Sequence, residues 1–330
     1  MSLLSVRGLT VTFDVRPRGA WPWTPPRKLH AVSDVSLDLA PGETLGIVGE
    51  SGSGKSTLAR AIIGTVPAAS GTVAWKGRDL TRMPPRERRA HRASAQMIFQ
   101  DPLAALNPRM TVGQIVAEPL RTHRPDMTRE ERHARVASMM ERVGLLPKLR
   151  NRYPHEFSGG QCQRIGIARA LVLEPELVVC DEPVSALDVS VQAQVINLLA
   201  DLKEEMGLAL IFIAHDLSVV RHISDRIAVM YLGRLMETGP GRAVTGAPAH
   251  PYAQALIASV PIPDPEAERA RPRAALEGEL PSPLAPPSGC VFRTRCPKAR
   301  PDCAASVPPM ISVGPGHEAA CPYWDEPAPA

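Results

Sequence analysis

Nine consecutive residues near the start of the chain have the composition of a phosphate-binding loop. They follow the apolar stretch Thr44–Val48, fit the pattern G-x-x-x-x-G-K-[ST], and are Gly49, Glu50, Ser51, Gly52, Ser53, Gly54, Lys55, Ser56 and Thr57. Glycines let successive backbone N–H groups turn toward phosphates, Lys55 can reach the outer phosphates, and Ser56 can ligate Mg²⁺. A helix beginning near Lys55 would add its positive N-terminal end. A glycine-rich turn without a ligand is the alternative, but strand, loop and helix signals together favour a nucleotide and Mg²⁺ site.

Two further groups of polar residues follow apolar runs that read as buried strands. Asp181 and Glu182 come after Leu177–Cys180, and His215 comes after Leu210–Ala214. Gln100 ends the run Met97-Ile98-Phe99-Gln100, within a section from about residue 86 to 152 that is mostly helical by pattern. Paired acids after a strand often cap a helix, and a lone histidine is often only packed or solvated.

The order of these motifs resembles the ABC-type ATPases. Phe157 precedes Ser158, Gly159, Gly160 and Gln161, as in the ABC signature, and Ser185-Ala186-Leu187-Asp188 resembles the D-loop. A Ser-Gly-Gly turn alone would be an ordinary helix N-cap. The resemblance implies an α/β fold: a P-loop ABC-type nucleotide-binding domain with a helical subdomain.

The remaining pattern predicts how the chain is organised. Strands alternate with helical runs after residue 165, which is typical of a mostly parallel sheet covered by helices. We expect a nucleotide-binding domain over 1–240, with its helical subdomain at about 86–165. Residues 241–330 include proline-rich stretches at 261–265 and 281–287. They predict an irregular, cysteine-containing C-terminal appendage.

Composition is that of an ordinary globular protein. The chain has 330 residues, of which 44% are hydrophobic and 22% charged, and its net charge is +4. This small charge gives no independent reason to invoke nucleic acid. The alternating N-terminus lacks a signal-peptide core, and no stretch approaches the ~20 apolar residues that span a bilayer. We therefore expect a cytoplasmic chain.

A closer resemblance extends along essentially the whole chain. The segments Trp21–Pro26, Asp101–Met110, Arg152–Phe157 and His250–Tyr252 together resemble the oligopeptide/dipeptide permease ATPases, most closely the second ATPase subunit of the oligopeptide permease. This resemblance implies a bacterial oligopeptide importer at the inner membrane, with this chain peripheral on the cytoplasmic face. The implied partners are a second, different ATPase subunit, two transmembrane permease subunits and an extracytoplasmic peptide-binding protein.

The resemblance also implies roles for the motif residues. ATP would lie between the P-loop of one nucleotide-binding domain and the signature of another. Lys55, Ser56, Gln100, Asp181, Glu182 and His215 would form one half-site, whereas Ser158, Gly159, Gly160 and Gln161 would complete the partner's. Ser56, Gln100 and Asp181 would lie by Mg²⁺, Glu182 would activate water, and His215 would sense the γ-phosphate. Phe13 is the candidate for stacking on adenine, although an aromatic residue in a strand is also ordinary core packing.

Four of the six cysteines cluster near the C-terminus, at Cys290, Cys296, Cys303 and Cys321. Reduced thiols are the rule in the cytoplasm, which disfavours disulfides. Zinc sites favour closer pairs than the five-, six- and seventeen-residue gaps found here. A [4Fe–4S] cluster, which the same cysteine pattern in peptide-permease ATPases implies, tolerates varied spacing. Zinc and unligated thiols remain the alternatives.

Two other functions remain open from the sequence. The same type of subunit could serve a dipeptide, glutathione or nickel importer, because cargo is selected by other proteins. A soluble ABC ATPase acting on nucleic acid or ribosomes is disfavoured, since such proteins often carry two nucleotide domains or long inserted arms. This chain has one set of motifs.

Overall fold

The structure is a computed structural model that describes residues 2–16, 19, 21, 23–260 and 278–327. The proline-rich residues 261–265 lie outside this part. The strands are β1 Leu4–Val15, β2 Arg27–Leu39, β3 Thr44–Val48, β4 Ser70–Trp75, β5 Arg78–Asp79, β6 Ala95–Ile98, β7 Leu177–Asp181, β8 Ala209–Ile213, β9 Arg226–Tyr231, β10 Arg234–Pro240, β11 Ile311–Gly314 and β12 His317–Ala319.

Helices cover the sheets and build the middle of the chain. The α-helices are α1 Lys55–Ile62, α2 Pro85–His91, α3 Pro102–Ala105, α4 Val112–His123, α5 Arg129–Arg142, α6 Gly159–Leu171, α7 Val189–Met206, α8 Leu217–Ile223, α9 Gly241–Gly246 and α10 Pro251–Ala258. Short 3₁₀ helices are found at Pro147–Asn151, Pro154–Glu156 and Pro301–Ala304.

Eight of the described strands form a mixed sheet in the order β11-β12-β10-β9-β3-β8-β7-β6. The strands from β9 to β6 pair in parallel, and β10, β11 and β12 continue the sheet through antiparallel pairs. All residues of β3, β7 and β8 are buried, as expected for strands covered on both faces. The α/β fold and its mostly parallel core are therefore confirmed.

Two hydrophobic cores lie on opposite faces of this sheet. Alternate residues of β7 divide between them, because successive side chains of a strand point to opposite faces. Val178 and Cys180 face a core built largely by α4 to α8, whereas Leu177 and Val179 face the core shared with α1 and the N-terminal sheet. That second sheet is antiparallel, in the order β2-β1-β4-β5.

The short strand β6 lies within the section that the sequence suggested to be mostly helical. It pairs in parallel with β7 and places Gln100 two residues beyond its end. A buried run of four residues cannot be distinguished from a helix segment by periodicity, which explains why the pattern did not separate it.

The C-terminal segment contributes to the main sheet. Glu237 and Thr238 of β10 pair with Ala319 and Glu318 of β12, and β11 completes a hairpin. The sequence suggested only an extended, partly irregular appendage, because strands of three or four residues leave almost no periodic signal. No helix in the described parts of the chain is both long and apolar enough to cross a membrane.

Candidate active site

The predicted phosphate-binding loop connects β3 to α1. Gly52 and Gly54 have φ values of 79° and 99°, in the region that favours glycine. A Cβ at Gly54 would collide with the carbonyl oxygen of Ala31. The backbone at this position is therefore reserved for glycine by both conformation and space.

Lys55 begins α1 with its side chain turned back into the loop. Its Nζ donates to the carbonyl oxygens of Gly49 at 2.7 Å and Glu50 at 2.9 Å, and the residue is only 4% exposed. Burial lowers the pKa of Lys55, while the carboxylates of Glu182, Asp181 and Glu50 act in the opposite direction. The ammonium group thus lies inside the loop, surrounded by acids that favour its charged form.

The loop meets the acidic end of β7 through Ser56. The Ser56 hydroxyl donates to Oδ1 of Asp181 at 2.6 Å. Asp181 is buried, and its other oxygen lies 3.7 Å from Nη2 of the half-exposed Arg60. A hydroxyl and a carboxylate this close offer two hard oxygen ligands of the kind that Mg²⁺ prefers.

Glu182 and Gln100 also meet, although 82 residues separate them. Nε2 of Gln100 donates to Oε2 of Glu182 at 2.8 Å. Glu182 has a φ of 47°, an uncommon conformation for a residue with a side chain. Its backbone N–H donates to the carbonyl of Ile213 at the end of β8, which anchors the residue at the sheet edge.

These groups border a cavity of about 380 Å³. Its lining residues are Phe13, Leu29, His30, Ala31, Ser51, Gly52, Gly54, Lys55, Ser56, Thr57, Gln100, Glu182, Leu232, Gly233 and Pro283. Phe13 is 38% exposed and pairs with Leu29 between β1 and β2. The structure therefore brings Phe13, the P-loop, Gln100 and Glu182 to one cavity. Sequence reasoning missed the contributions of His30, Gly233 and Pro283, which carry no motif.

His215 and the signature residues do not line this cavity. His215 is exposed, two residues after β8 ends at Ile213. Ser158 caps α6, and its Oγ accepts from the Gln161 N–H at 3.4 Å while the Gln161 side chain accepts from the Ser158 N–H at 3.0 Å. Gly159 and Gly160 form the first turn of α6 and pack beside Leu187 and Val191. The described chain thus holds the signature separate from its own P-loop.

A groove of about 730 Å³ shares Gln100 with the P-loop cavity and is also lined by Arg60 and Asp181. Phe99, which lines the groove, is 43% exposed. Arg169 is a wall of this groove, donates to the carbonyl of Ala105 at 2.6 Å and lies over the Phe99 ring. The groove thus lies between the end of β6 and the helices α3, α4 and α6.

Cys290, Cys296, Cys303 and Cys321 all line one cavity of about 180 Å³. Burial raises the pKa of the Cys290 and Cys321 thiols, and raises that of Cys296 to about 11. Among the described residues, no group of three or more His, Cys, Asp or Glu side chains could hold a metal ion. The four cysteine side chains can line one cavity without all pointing at a single ion, so their common position there agrees with the absence of such a group.

The fold and this arrangement of loop and acids define an ABC-type ATPase domain. Residues 32–185 match the family model described as ABC transporter, and residues 236–303 match that of the oligopeptide/dipeptide transporter C-terminal region. The chain belongs to the ATP-binding proteins of the oligopeptide/dipeptide ABC transporters, which confirms the family resemblance.

Relatives of known name support this membership over nearly the whole chain. The oligopeptide transport ATP-binding protein OppF of Escherichia coli K12 is 64% identical over 93% of this chain and 92% of its own length. OppF of Haemophilus influenzae is 58% identical over 97% and 96%. The putative oligopeptide transport ATP-binding protein YkfD of Bacillus subtilis is 52% identical over 97% and 95%.

Solved structures agree on the fold. The ATP-binding cassette MJ0796, in a dimeric post-hydrolysis state bound to ADP and Pi, superposes with a TM-score of 0.64 at 29% identity, covering 72% of this chain and 99% of that one. The cbiO1 protein of Clostridium perfringens, part of the ABC transporter complex cbiONQ, gives 0.63 at 26% identity, covering 74% and 91%.

Proposed function

We propose that this chain is the ATP-hydrolysing subunit that powers an ABC importer of oligopeptides. The observation that carries the proposal is the meeting of P-loop, Gln100 and Glu182 at one cavity, with Asp181 bonded to Ser56. Oligopeptide rather than dipeptide, glutathione or nickel cargo is supported by the relatives, which are named oligopeptide transport ATP-binding proteins.

Phosphoryl transfer requires mainly positioning and charge stabilisation. The loop amides and Lys55 bind the phosphates of ATP, and Ser56, Asp181 and Gln100 present oxygen ligands for Mg²⁺, which offsets phosphate charge when bound. Glu182 orients and deprotonates the attacking water, with Gln100 holding its carboxylate at 2.8 Å. Phe13 stacks on adenine, and His215 reports on the γ-phosphate after a movement toward the cavity.

A second nucleotide-binding subunit completes the site. The signature residues Ser158 to Gln161 lie apart from the P-loop of their own chain, and the similar cassette MJ0796 is described as a dimer. We infer that this chain pairs head to tail with a second, different ATPase subunit. Each chain then supplies its signature to the other's ATP.

The groove beside Gln100 receives the transmembrane subunits. The apolar ring of Phe99 is exposed in this groove, and Gln100, which also lines the groove, donates the hydrogen bond to Glu182. Movement of a membrane subunit in this groove can therefore reach the catalytic acid. In this assembly the chain is peripheral on the cytoplasmic face of the inner membrane, and an extracytoplasmic peptide-binding protein delivers cargo.

Transport by the assembled complex tests this function. Liposomes carrying the complex, loaded internally with ATP and given the cognate binding protein outside, should accumulate a labelled oligopeptide. Glu182→Gln in this chain should abolish uptake while the complex stays assembled. Uptake of dipeptide, glutathione or nickel in place of the oligopeptide would show that the assigned cargo is wrong. Binding of nucleic acid without membrane subunits would overturn the transporter function.

We further propose that the four C-terminal cysteines hold a [4Fe–4S] cluster. Four thiols at one cavity fit a cluster in which each thiolate binds a different iron, so the sulfurs need not converge on a single ion. Protein purified without oxygen should be brown and contain about four irons per chain. Cys290→Ser should lower the iron content, with Cys162→Ser as a buried control outside the cluster. One zinc per chain, or neither metal, would overturn this assignment.

A further inference from the structure

Arg295 of the C-terminal segment reaches the P-loop. Its Nη1 and Nη2 donate to the two carboxylate oxygens of Glu50 at 2.7 and 3.0 Å, a bidentate pair. The Arg295 side chain is only 6% exposed and that of Glu50 is 26% exposed. Planar two-point pairing of this kind fixes direction as well as charge.

Glu50 is also held through its backbone by the same half of the molecule. Its N–H donates to the hydroxyl of the fully buried Tyr252 at 2.8 Å. Tyr252 packs against Tyr231 and Phe292, with ring centroids 4.7 and 5.3 Å away. Phe292 lies three residues before Arg295, so one aromatic cluster supports both contacts with Glu50.

The contact continues from Glu50 into the catalytic loop. The carbonyl oxygen of Glu50 accepts from Nζ of Lys55 at 2.9 Å. The C-terminal segment meets the loop at a second place as well, because Pro283 lines the nucleotide cavity and Leu280 lies beside Gly52. A continuous chain of hydrogen bonds therefore runs from Arg295 in the C-terminal segment through Glu50 to Lys55 at the nucleotide cavity.

The charge of Glu50 explains why its pairing with Arg295 should affect ATP binding. Glu50 places a carboxylate within the loop that must receive the negative phosphates of ATP. An unpaired carboxylate there would repel the phosphates and compete for Lys55. The guanidinium of Arg295 neutralises this charge and holds it against the C-terminal segment.

We propose that Arg295 is a positioning residue for ATP binding, which keeps Glu50 neutralised and the P-loop in its binding conformation. The C-terminal segment is by this means part of the nucleotide site. The four variants that test the proposal are Arg295→Met, Glu50→Gln, the double variant, and Arg293→Met as matched control. Arg293 lies in the same segment but donates to Ser288 instead of the P-loop.

Steady-state ATP hydrolysis is measured in the assembled transporter. Arg295→Met should raise KM for ATP about tenfold, because it leaves a charge unpaired, with kcat changed much less. Glu50→Gln should raise KM less. The KM of the double variant should return most of the way to the wild-type value, since no unpaired carboxylate remains. Arg293→Met should match the wild type.

The KM of the double variant distinguishes a role of Arg295 in positioning Glu50 from a role only in stabilising the fold. If Arg295 only stabilised the C-terminal segment, the double variant would be at least as impaired as Arg295→Met. That result, or an unchanged KM in Arg295→Met, would overturn the proposal. Should Arg295→Met fail to assemble, Arg295→Gln with and without Glu50→Gln gives the same comparison.

Discussion

The hydroxyl of Ser56 donates a 2.6 Å hydrogen bond to Oδ1 of Asp181 across 125 residues of sequence. Ser56 lies in the first turn of α1, directly after the loop that follows β3, and Asp181 ends β7. In the sheet, β8 lies between β3 and β7. Parallel pairing brings both carboxyl ends to one edge. The sheet thereby places a hydroxyl and a carboxylate where a single Mg²⁺ can take both as ligands.

Replacing Ser56 tests this pairing. Ser56→Ala removes one oxygen ligand, and we expect ATP hydrolysis to need a higher Mg²⁺ concentration and to fall about tenfold. Loss of one charge-assisted contact of about 1.5 kcal/mol corresponds to that factor. Ser56→Thr, which keeps the hydroxyl, is the control and should retain most activity. An unchanged Mg²⁺ dependence in Ser56→Ala would remove Ser56 from the ion's ligands.

Glu182→Gln should separate ATP binding from hydrolysis. The amide keeps the shape of the side chain but cannot accept a proton from water, so we expect hydrolysis to fall about 100-fold or more. Nucleotide affinity, followed by equilibrium binding of a labelled ATP, should stay close to that of the wild type. Near-normal hydrolysis would assign the proton acceptor to another group.

Lys55→Ala should show the opposite pattern in the binding assay. Removing the ammonium group costs a hydrogen bond to charged phosphate worth about 1.5–3 kcal/mol, which weakens binding about 10- to 140-fold. The same equilibrium measurement used for Glu182→Gln provides the comparison. Wild-type affinity in Lys55→Ala would show that this side chain does not contact the phosphates.

Glu237 should be important for stability rather than catalysis. Its fully buried carboxylate accepts from the N–H groups of Ala249 and His250, at 3.0 and 2.6 Å, and lies 2.7 Å from Nε2 of His317 in β12. Glu237→Ala leaves these partners unsatisfied, at about 1–3 kcal/mol for each. The midpoint temperature of thermal unfolding should therefore be many degrees lower in Glu237→Ala than in the wild type. Glu318 is exposed in β12 beside His317, and Glu318→Gln should leave the midpoint unchanged. Equal midpoint temperatures for Glu237→Ala and the wild type would contradict a stabilising role for the hydrogen bonds of Glu237.

The sequence predicted those parts of the site that depend on local signals. Gly54 and Lys55 are adjacent in a motif and lie at the start of α1. The sequence put Asp181 directly after a buried strand, and in the structure Asp181 is the last residue of that strand. Strand order at the sheet edge then accounts for their meeting. These contacts need only local conformation and the rules of parallel sheets.

Contacts between distant segments without periodicity were not predictable. Arg295 and Glu50 are 245 residues apart, and no spacing rule connects an arginine beside a cysteine with a P-loop acid. The pairing of β12 with β10 likewise involves a strand of three residues, too short to show alternation. Both contacts depend on how the C-terminal segment packs as a whole.

The central claim is that this chain hydrolyses ATP as one of the two ATPase subunits of a peptide importer. The ATPase rate tests this claim most directly. The rate is measured for the chain alone, for the assembled complex, and for the complex with peptide-loaded binding protein. We predict a low rate for the chain alone, a higher rate for the complex, and a further rise with peptide, because loaded binding protein favours the closed dimer. Full, peptide-independent hydrolysis by the isolated chain would contradict the claim.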